Sequence, residues 1–121
     1  MTAASVGGYR ERTITIGMVF SRSPGGRYRA HGLKSGEEFR DDYLVPALNE
    51  TDHVTVNLDG TDGYAGSFLE EAFGGLIRSR GFTLEQLRHK LTISAEGPQY
   101  EIYRKLAESY LNEAAATKKT A

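Results

Sequence analysis

The stretch from Val54 to Ile77 constrains the fold most, because it joins a strand pattern to a helix pattern through a glycine-rich loop. Apolar residues alternate with polar ones at its start, as in a half-buried strand: Val54, Val56 and Leu58. The loop that follows contains Gly60, Gly63 and Gly66. Apolar residues then recur at helical spacing. This order predicts an α/β unit whose helix start exposes backbone N–H groups, a suitable place for an anion, a phosphorylation event or a protein partner.

Capping patterns, in which Ser or Thr precedes Glu or Gln by three residues, predict three helix starts. The pairs are Ser35 with Glu38, Ser67 with Glu70, and Thr83 with Gln86. The helix after Ser35 contains Pro46, which lacks an N–H group, so we expect that helix to bend or end near Val45.

The remaining elements complete an α/β order. Residues 13–20 predict a first strand in which Gly17 marks a bulge or a close backbone approach. Residues 27–29 are expected to pair back on it as a hairpin, residues 91–95 to form another strand, and a last helix to follow Pro98. We therefore expect a mixed sheet of about four strands with helices mainly on one face. Residues 1–11 predict a flexible arm, residues 12–113 a single domain, and residues 114–121 a flexible tail.

The composition limits the function classes. A chain of 121 residues suits one domain, and a net charge of -1 gives no overall attraction to nucleic acid or to an anionic membrane. The chain has no cysteine, no apolar run long enough to span a membrane, and no signal-peptide pattern. We expect a cytoplasmic protein without a cofactor, membrane association or nucleic-acid partner.

Four segments share a pattern with a known family: Gly32-x-x-Ser-Gly-Glu-x-Phe-Arg40, Leu44-x-Pro-Ala-Leu48, Val56-x-Leu-Asp-Gly60 and the block that runs from Gly63-Tyr through Ser-Phe-Leu-Glu-Glu-Ala-Phe-Gly-Gly. On these residues the sequence resembles the bacterial STAS-like family of unknown function. This family is similar to the STAS domains of anti-sigma factor antagonists. The resemblance implies a STAS-like mixed sheet flanked by helices.

The same resemblance implies a protein-binding regulator in a bacterial or phage-derived system. In the relatives, a GHKL-type ATPase that acts as a kinase phosphorylates a hydroxyl at a helix start, and the added charge breaks the complex. This sequence departs from that pattern by placing Gly66 at the position of the modified residue. Ser67 is the remaining hydroxyl, and it is read either as the phosphosite or as a helix N-cap.

The expected docking surface is the loop after the central strand with the start of the next helix: Asp59, Asp62, Tyr64, Gly66, Ser67, Phe68 and Glu71. Glu70 is read as the capping partner of Ser67, and Glu71 as free for an interface. Asp59 and Asp62 are interpreted as turn residues in preference to cation ligands.

Two alternatives remain open at this point. Arg22, Arg27 and Arg29 are candidates for an anion site, either alone or in a small-molecule or nucleotide-binding module that uses the same helix start. A homodimeric interaction protein is the other alternative. We find no nucleophile–base set, phosphate-loop lysine motif, dinucleotide fingerprint or metal-ligand spacing, so we expect no enzyme.

Overall fold

The computed structural model describes residues 8–120, and a three-stranded parallel sheet lies at its centre. The strands are β1 (Glu11–Thr15), β2 (His53–Asn57) and β3 (Leu91–Ser94), in the spatial order β1-β2-β3. In the register, Glu11 lies opposite His53 and Val54 lies opposite Leu91. The expected count of about four strands in a mixed sheet is not confirmed, since the described residues form three strands that all run parallel.

The difference arises between residues 16 and 31. The carbonyl of Ile16 accepts hydrogen bonds from the N–H groups of Phe20 and Ser21, which turns the chain into the short helix α1 (Ile16–Val19) just after β1. The predicted hairpin at residues 27–29 is wrong. A 3₁₀ turn occupies Arg29–His31, and Gly25 donates its N–H to the carbonyl of Lys34, 2.7 Å away.

Two longer helices follow β1 and β2, and each contains a π turn. The first consists of α2 (Gly36–Phe39), a π turn (Arg40–Leu44) and α3 (Val45–Glu50). The second consists of α4 (Gly66–Leu69), a π turn (Glu70–Gly74) and α5 (Gly75–Arg78). The first helix therefore does not end near Val45. It passes Pro46 after the π turn, where the i→i−4 hydrogen-bond ladder is already interrupted.

Two more helices complete the secondary structure of residues 8–120. They are α6 (Leu84–Lys90) and α7 (Glu101–Thr120), the latter preceded by a 3₁₀ turn at Pro98–Tyr100. α7 continues through the buried Ala114 to Thr120, where a flexible tail was expected. Most of the expected N-terminal arm, residues 1–7, lies outside the described residues.

Within residues 8–120, the sheet buries one face only. The side chains of Ile14, Val54, Val56 and Ile93 are buried among the helices. The alternating positions of the other face are polar and remain exposed or half-exposed, among them Thr13, Thr55 and Thr92. Parallel sheets usually have both faces covered, so this open face is unusual. No helix of residues 8–120 has the length and apolar character needed to cross a membrane.

Candidate functional site

The predicted docking loop lies at the carboxyl ends of the strands. Because the three strands are parallel, the segments that follow them emerge at one edge of the sheet. There α1 lies against the loop after β2, and a Cβ atom added to Gly17 would sit 2.4 Å from the carbonyl oxygen of Gly60. The expected close backbone approach at Gly17 is therefore present. It holds α1 directly on the predicted loop.

Asp59 joins two of these segments. Its carboxylate accepts hydrogen bonds from the N–H groups of Glu96, at 3.1 and 3.2 Å, and of Gly97, at 3.2 Å. Its own N–H donates to the side-chain oxygen of Asn57, 2.8 Å away. Asp59 thus connects the loop after β2 to the loop after β3, and both of its carboxylate oxygens accept hydrogen bonds from the main chain.

Asp62 anchors the loop on the side of α1. The Ser23 hydroxyl donates to its carboxylate at 2.6 Å, and the Asp62 N–H donates to the carbonyl of Arg22 at 2.8 Å. The interpretation of both aspartates as structural loop residues agrees with these contacts. Residues 8–120 contain no group of three or more His, Asp or Glu side chains that could hold a metal ion.

Tyr64 and Phe68 are core residues, which corrects the expectation that they contact a partner. Phe68 is fully buried, and its ring packs on that of Tyr64 with centroids 5.7 Å apart. The Tyr64 hydroxyl donates to the carbonyl of Leu58 at 2.6 Å. Burial raises the pKa of Tyr64 above its usual range, so the hydroxyl stays protonated.

Ser67 is not a helix cap. The second long helix begins at Gly66, and Ala65 occupies the N-cap position without a side-chain hydrogen bond. Ser67 lies inside the first turn, half-buried, and its hydroxyl makes no hydrogen bond within the described part of the chain. By contrast, Ser35 and Thr83 accept hydrogen bonds from the N–H groups three residues later, so those two predicted caps are confirmed.

Glu70 and Glu71 belong to an arginine–carboxylate network. Glu71 is only 4 % exposed, and its Oε2 lies 2.5 Å from Nη1 of Arg40, which is 2 % exposed. Glu71 also contacts Arg78 at 3.0 Å and Arg27 at 3.3 Å. The expectation that Glu71 is free for an interface is therefore wrong, since Glu71 is buried between the two long helices.

Glu70 takes part in the same network and does not cap Ser67. Arg78 donates to Glu70 at 2.6 Å, and Arg27 donates to the same carboxylate. Burial works to raise the pKa of Glu70, but the hydrogen bonds from Arg78 and Arg27 outweigh it and leave the pKa below its usual value. Asp41 extends the network, because the Arg80 guanidinium, aided by Arg40, holds the pKa of that carboxyl well below its usual range.

The three candidate anion-binding arginines do not converge. Arg27 is bound to Glu70 and Glu71, and Arg29 lies 2.5 Å from Asp42. Arg22 is exposed and, within residues 8–120, has no bond to the partners of Arg27 or Arg29; its main-chain carbonyl accepts a hydrogen bond from the N–H of Asp62. The structure therefore does not form the cationic pocket that a nucleotide-binding module would need.

Two exposed apolar side chains at this edge were missed from the sequence. Met18 is 82 % exposed and Val19 is 54 % exposed, both on α1 beside the loop at Gly60. Both residues lie in the segment 13–20 that was predicted as the first strand, and neither was among the predicted site residues. Gly17 was the usable signal, because it indicated a close approach at this point.

Comparison with known families places this geometry in context. A family model described as a STAS-like domain of unknown function matches residues 35–101, more than half of the chain. The match covers both long helices, β2, the docking loop and β3. Neither the curated proteins nor the solved structures gave a match. The chain belongs to the family of STAS-like domains of unknown function.

Proposed function

We propose that this chain is a cytoplasmic, non-enzymatic regulator that acts by binding another protein. The binding region would be α1 together with residues 59–67, which we call the docking surface. The observation that carries the proposal is the exposure of Met18 and Val19 on a helix that is fixed by the backbone contact between Gly17 and Gly60.

The chemistry of the docking surface favours a protein over a small ligand. Asp59 and Asp62 are already bonded within the fold, so the groups left for a partner are mainly apolar side chains and main chain. Adjacent exposed apolar side chains on a rigid turn suit insertion into a partner's pocket. The unbranched thioether of Met18 adapts easily to such a pocket.

Membership of a STAS-like family suggests partner switching as the form of regulation. In this proposal the partner is a GHKL-type ATPase acting as a kinase, in a bacterial or phage-derived system, and Ser67 is the phosphosite. The Ser67 hydroxyl has no hydrogen bond to break among the described residues. A phosphate on Ser67 would add about -1.5 to -2 charges to the docking surface and release the partner.

A capture experiment with the whole chain as bait tests the docking surface. The bound protein is identified by mass spectrometry after cross-linking in the native host. We expect Met18→Glu to lose that protein, because it places a charge in the apolar contact. Tyr9→Glu is the matched control, since Tyr9 is 67 % exposed and precedes β1, at the amino ends of the strands and opposite this surface. Equal capture by both variants would contradict the proposal.

The switch is tested separately on the captured partner. We expect Ser67→Glu to weaken binding by at least about tenfold, equivalent to about 1.4 kcal/mol, while Ser67→Ala leaves the affinity nearly unchanged. The measurement is calorimetric titration of each variant with the partner. If the two substitutions have the same effect, Ser67 is not the switch, although the docking surface can still be correct.

A further inference from the structure

The end strand β3 leaves main-chain groups unpaired along its outer edge. The carbonyl of Ser94 accepts from the N–H of Leu58, so Ser94 points its main-chain groups toward β2. Because main-chain direction alternates along a strand, Ile93 points its N–H and C=O the opposite way. Within the described residues β3 has no neighbour on that side. An edge of this kind is a template for pairing with another chain.

The two end strands differ in how they are protected. β1 carries the charged residues Glu11 and Arg12, and Arg12 forms an ion pair with Glu50 at 3.2 Å. Charged side chains on an edge strand discourage pairing. β3 has the sequence Leu-Thr-Ile-Ser and carries no charge. β3 is therefore the edge that remains open to association.

A groove lies beside this edge, between α6 and α7. Its volume is about 410 Å³, and its apolar lining includes Leu84, Leu87, Ile93 and Leu111. Two exposed side chains of opposite charge also line it, Arg88 from α6 and Glu108 from α7. Arg88 has no side-chain partner in the described part of the chain, and Glu108 bonds Arg104 through one oxygen only.

We propose that this groove and β3 form the contact between two copies of this chain. A two-fold axis at Ile93 lets the two Ile93 residues exchange N–H···O=C bonds, which satisfies both free groups at once. Leu91 contributes less, because its N–H already bonds the carbonyl of Leu87. The two three-stranded sheets join into one, and the two-fold axis closes the pairing because both copies use the same uncharged edge.

Charge favours a second copy as the occupant of the groove. Each copy brings one positive and one negative side chain, Arg88 and Glu108, to the same contact, so the contact carries no net charge. The whole chain has a net charge of only -1, which keeps long-range repulsion between copies small. The proposal is independent of the docking surface, which lies at the carboxyl ends of the strands.

The first test is the mass of the full chain in solution, measured by sedimentation over a wide range of concentration. We expect a species of twice 13.3 kDa. Arg88→Glu and Glu108→Arg should each raise the dissociation constant at least about tenfold, because each leaves like charges in the contact. The double variant restores a neutral contact and should recover association. Lys105→Glu is the control for an exposed charge on α7 outside the groove.

The second test reports on Ile93 directly. We expect amide hydrogen exchange at the Ile93 N–H, followed by NMR, to slow as concentration rises, because dimerisation buries and bonds this group. The Leu58 N–H is bonded to Ser94 in both states and should show no such dependence. A monomer at every concentration would overturn the proposal. A dimer with unchanged exchange at Ile93 would overturn it equally, since the contact would then lie elsewhere.

Discussion

Arg40 and Glu71 form an ion pair inside the protein, with Nη1 and Oε2 2.5 Å apart and both residues less than 5 % exposed. Each lies in the π turn of its own helix, so the pair joins the two long helices where their hydrogen-bond ladders are interrupted. Gly75 makes room for it, because a Cβ at that position would sit 2.3 Å from the Arg40 guanidinium. The ion pair thus depends on three residues, Arg40, Glu71 and Gly75, on two helices.

Removing one partner of this pair should strongly destabilise the fold. Arg40→Met leaves Glu71 buried beside weaker contacts, and we expect a loss of about 3 kcal/mol in the free energy of unfolding. The measurement is chemical denaturation followed by circular dichroism. Arg12→Met is the control, because the Arg12–Glu50 pair is exposed and should change stability by less than about 1 kcal/mol. Similar losses in the two variants would show that the burial of Arg40 has no special role.

Gly17→Ala should separate α1 from the docking loop. The added methyl would meet backbone atoms of Gly60, which cannot rotate away, and overpacking of this kind costs about 1–3 kcal/mol. Gly26→Ala is the matched control, since nothing lies within 4 Å of its added Cβ. Thermal unfolding of the two variants compares them. If Gly17→Ala leaves the thermal stability unchanged, α1 can move away from the loop without a loss of stability.

Ser67→Ala should barely affect stability, because Ser67 does not cap its helix. We expect a change below about 0.5 kcal/mol. Thr83→Ala removes a true N-cap, whose hydroxyl accepts from the N–H of Gln86 at 3.1 Å, and should cost about 1 kcal/mol. Urea denaturation distinguishes the two values. A larger loss at Ser67 than at Thr83 would place a hydrogen bond on the Ser67 hydroxyl after all.

Acid should destabilise the protein through Asp41. Hydrogen bonds from Arg80 and Arg40 hold the pKa of Asp41 below its unfolded value of about 3.9. A lowered carboxyl pKa adds stability above the unfolded pKa, and this contribution is lost as pH falls through the acid range toward the folded pKa. In Asp41→Asn, the free energy of unfolding should therefore fall less steeply below about pH 5. If the free energy of unfolding depends on pH equally in Asp41→Asn and in the unchanged chain, Asp41 does not contribute to acid sensitivity.

Local patterns in the sequence correctly predicted the elements that depend on neighbouring residues. β2 and β3 follow from alternation, and the caps at Ser35 and Thr83 follow from residues three positions apart. The family resemblance also held across the docking loop and both long helices.

The failures share a cause, which is a contact between residues far apart in the chain. Arg27 is drawn to Glu70 and Glu71 across the fold, so residues 27–29 do not return to β1. Glu70 is likewise bonded to Arg27 and Arg78, and Ser67 is not a cap because its helix begins at Gly66 with Ala65 at the N-cap position. Glu71 looked free because its partner Arg40 lies on the preceding helix. Ion pairs between residues far apart in the chain cannot be predicted from the spacing of neighbouring residues.

The all-parallel sheet also decides when this chain can begin to fold. Each strand pairs only with a strand that lies beyond an intervening helix, so Val54 has no central-sheet partner on one side until Leu91 has been synthesised. Contacts between such distant positions form slowly, because a long loop must close first. On the ribosome, one edge of β2 therefore has no partner strand while residues 58–90 are synthesised. That interval is when this protein is most exposed to aggregation.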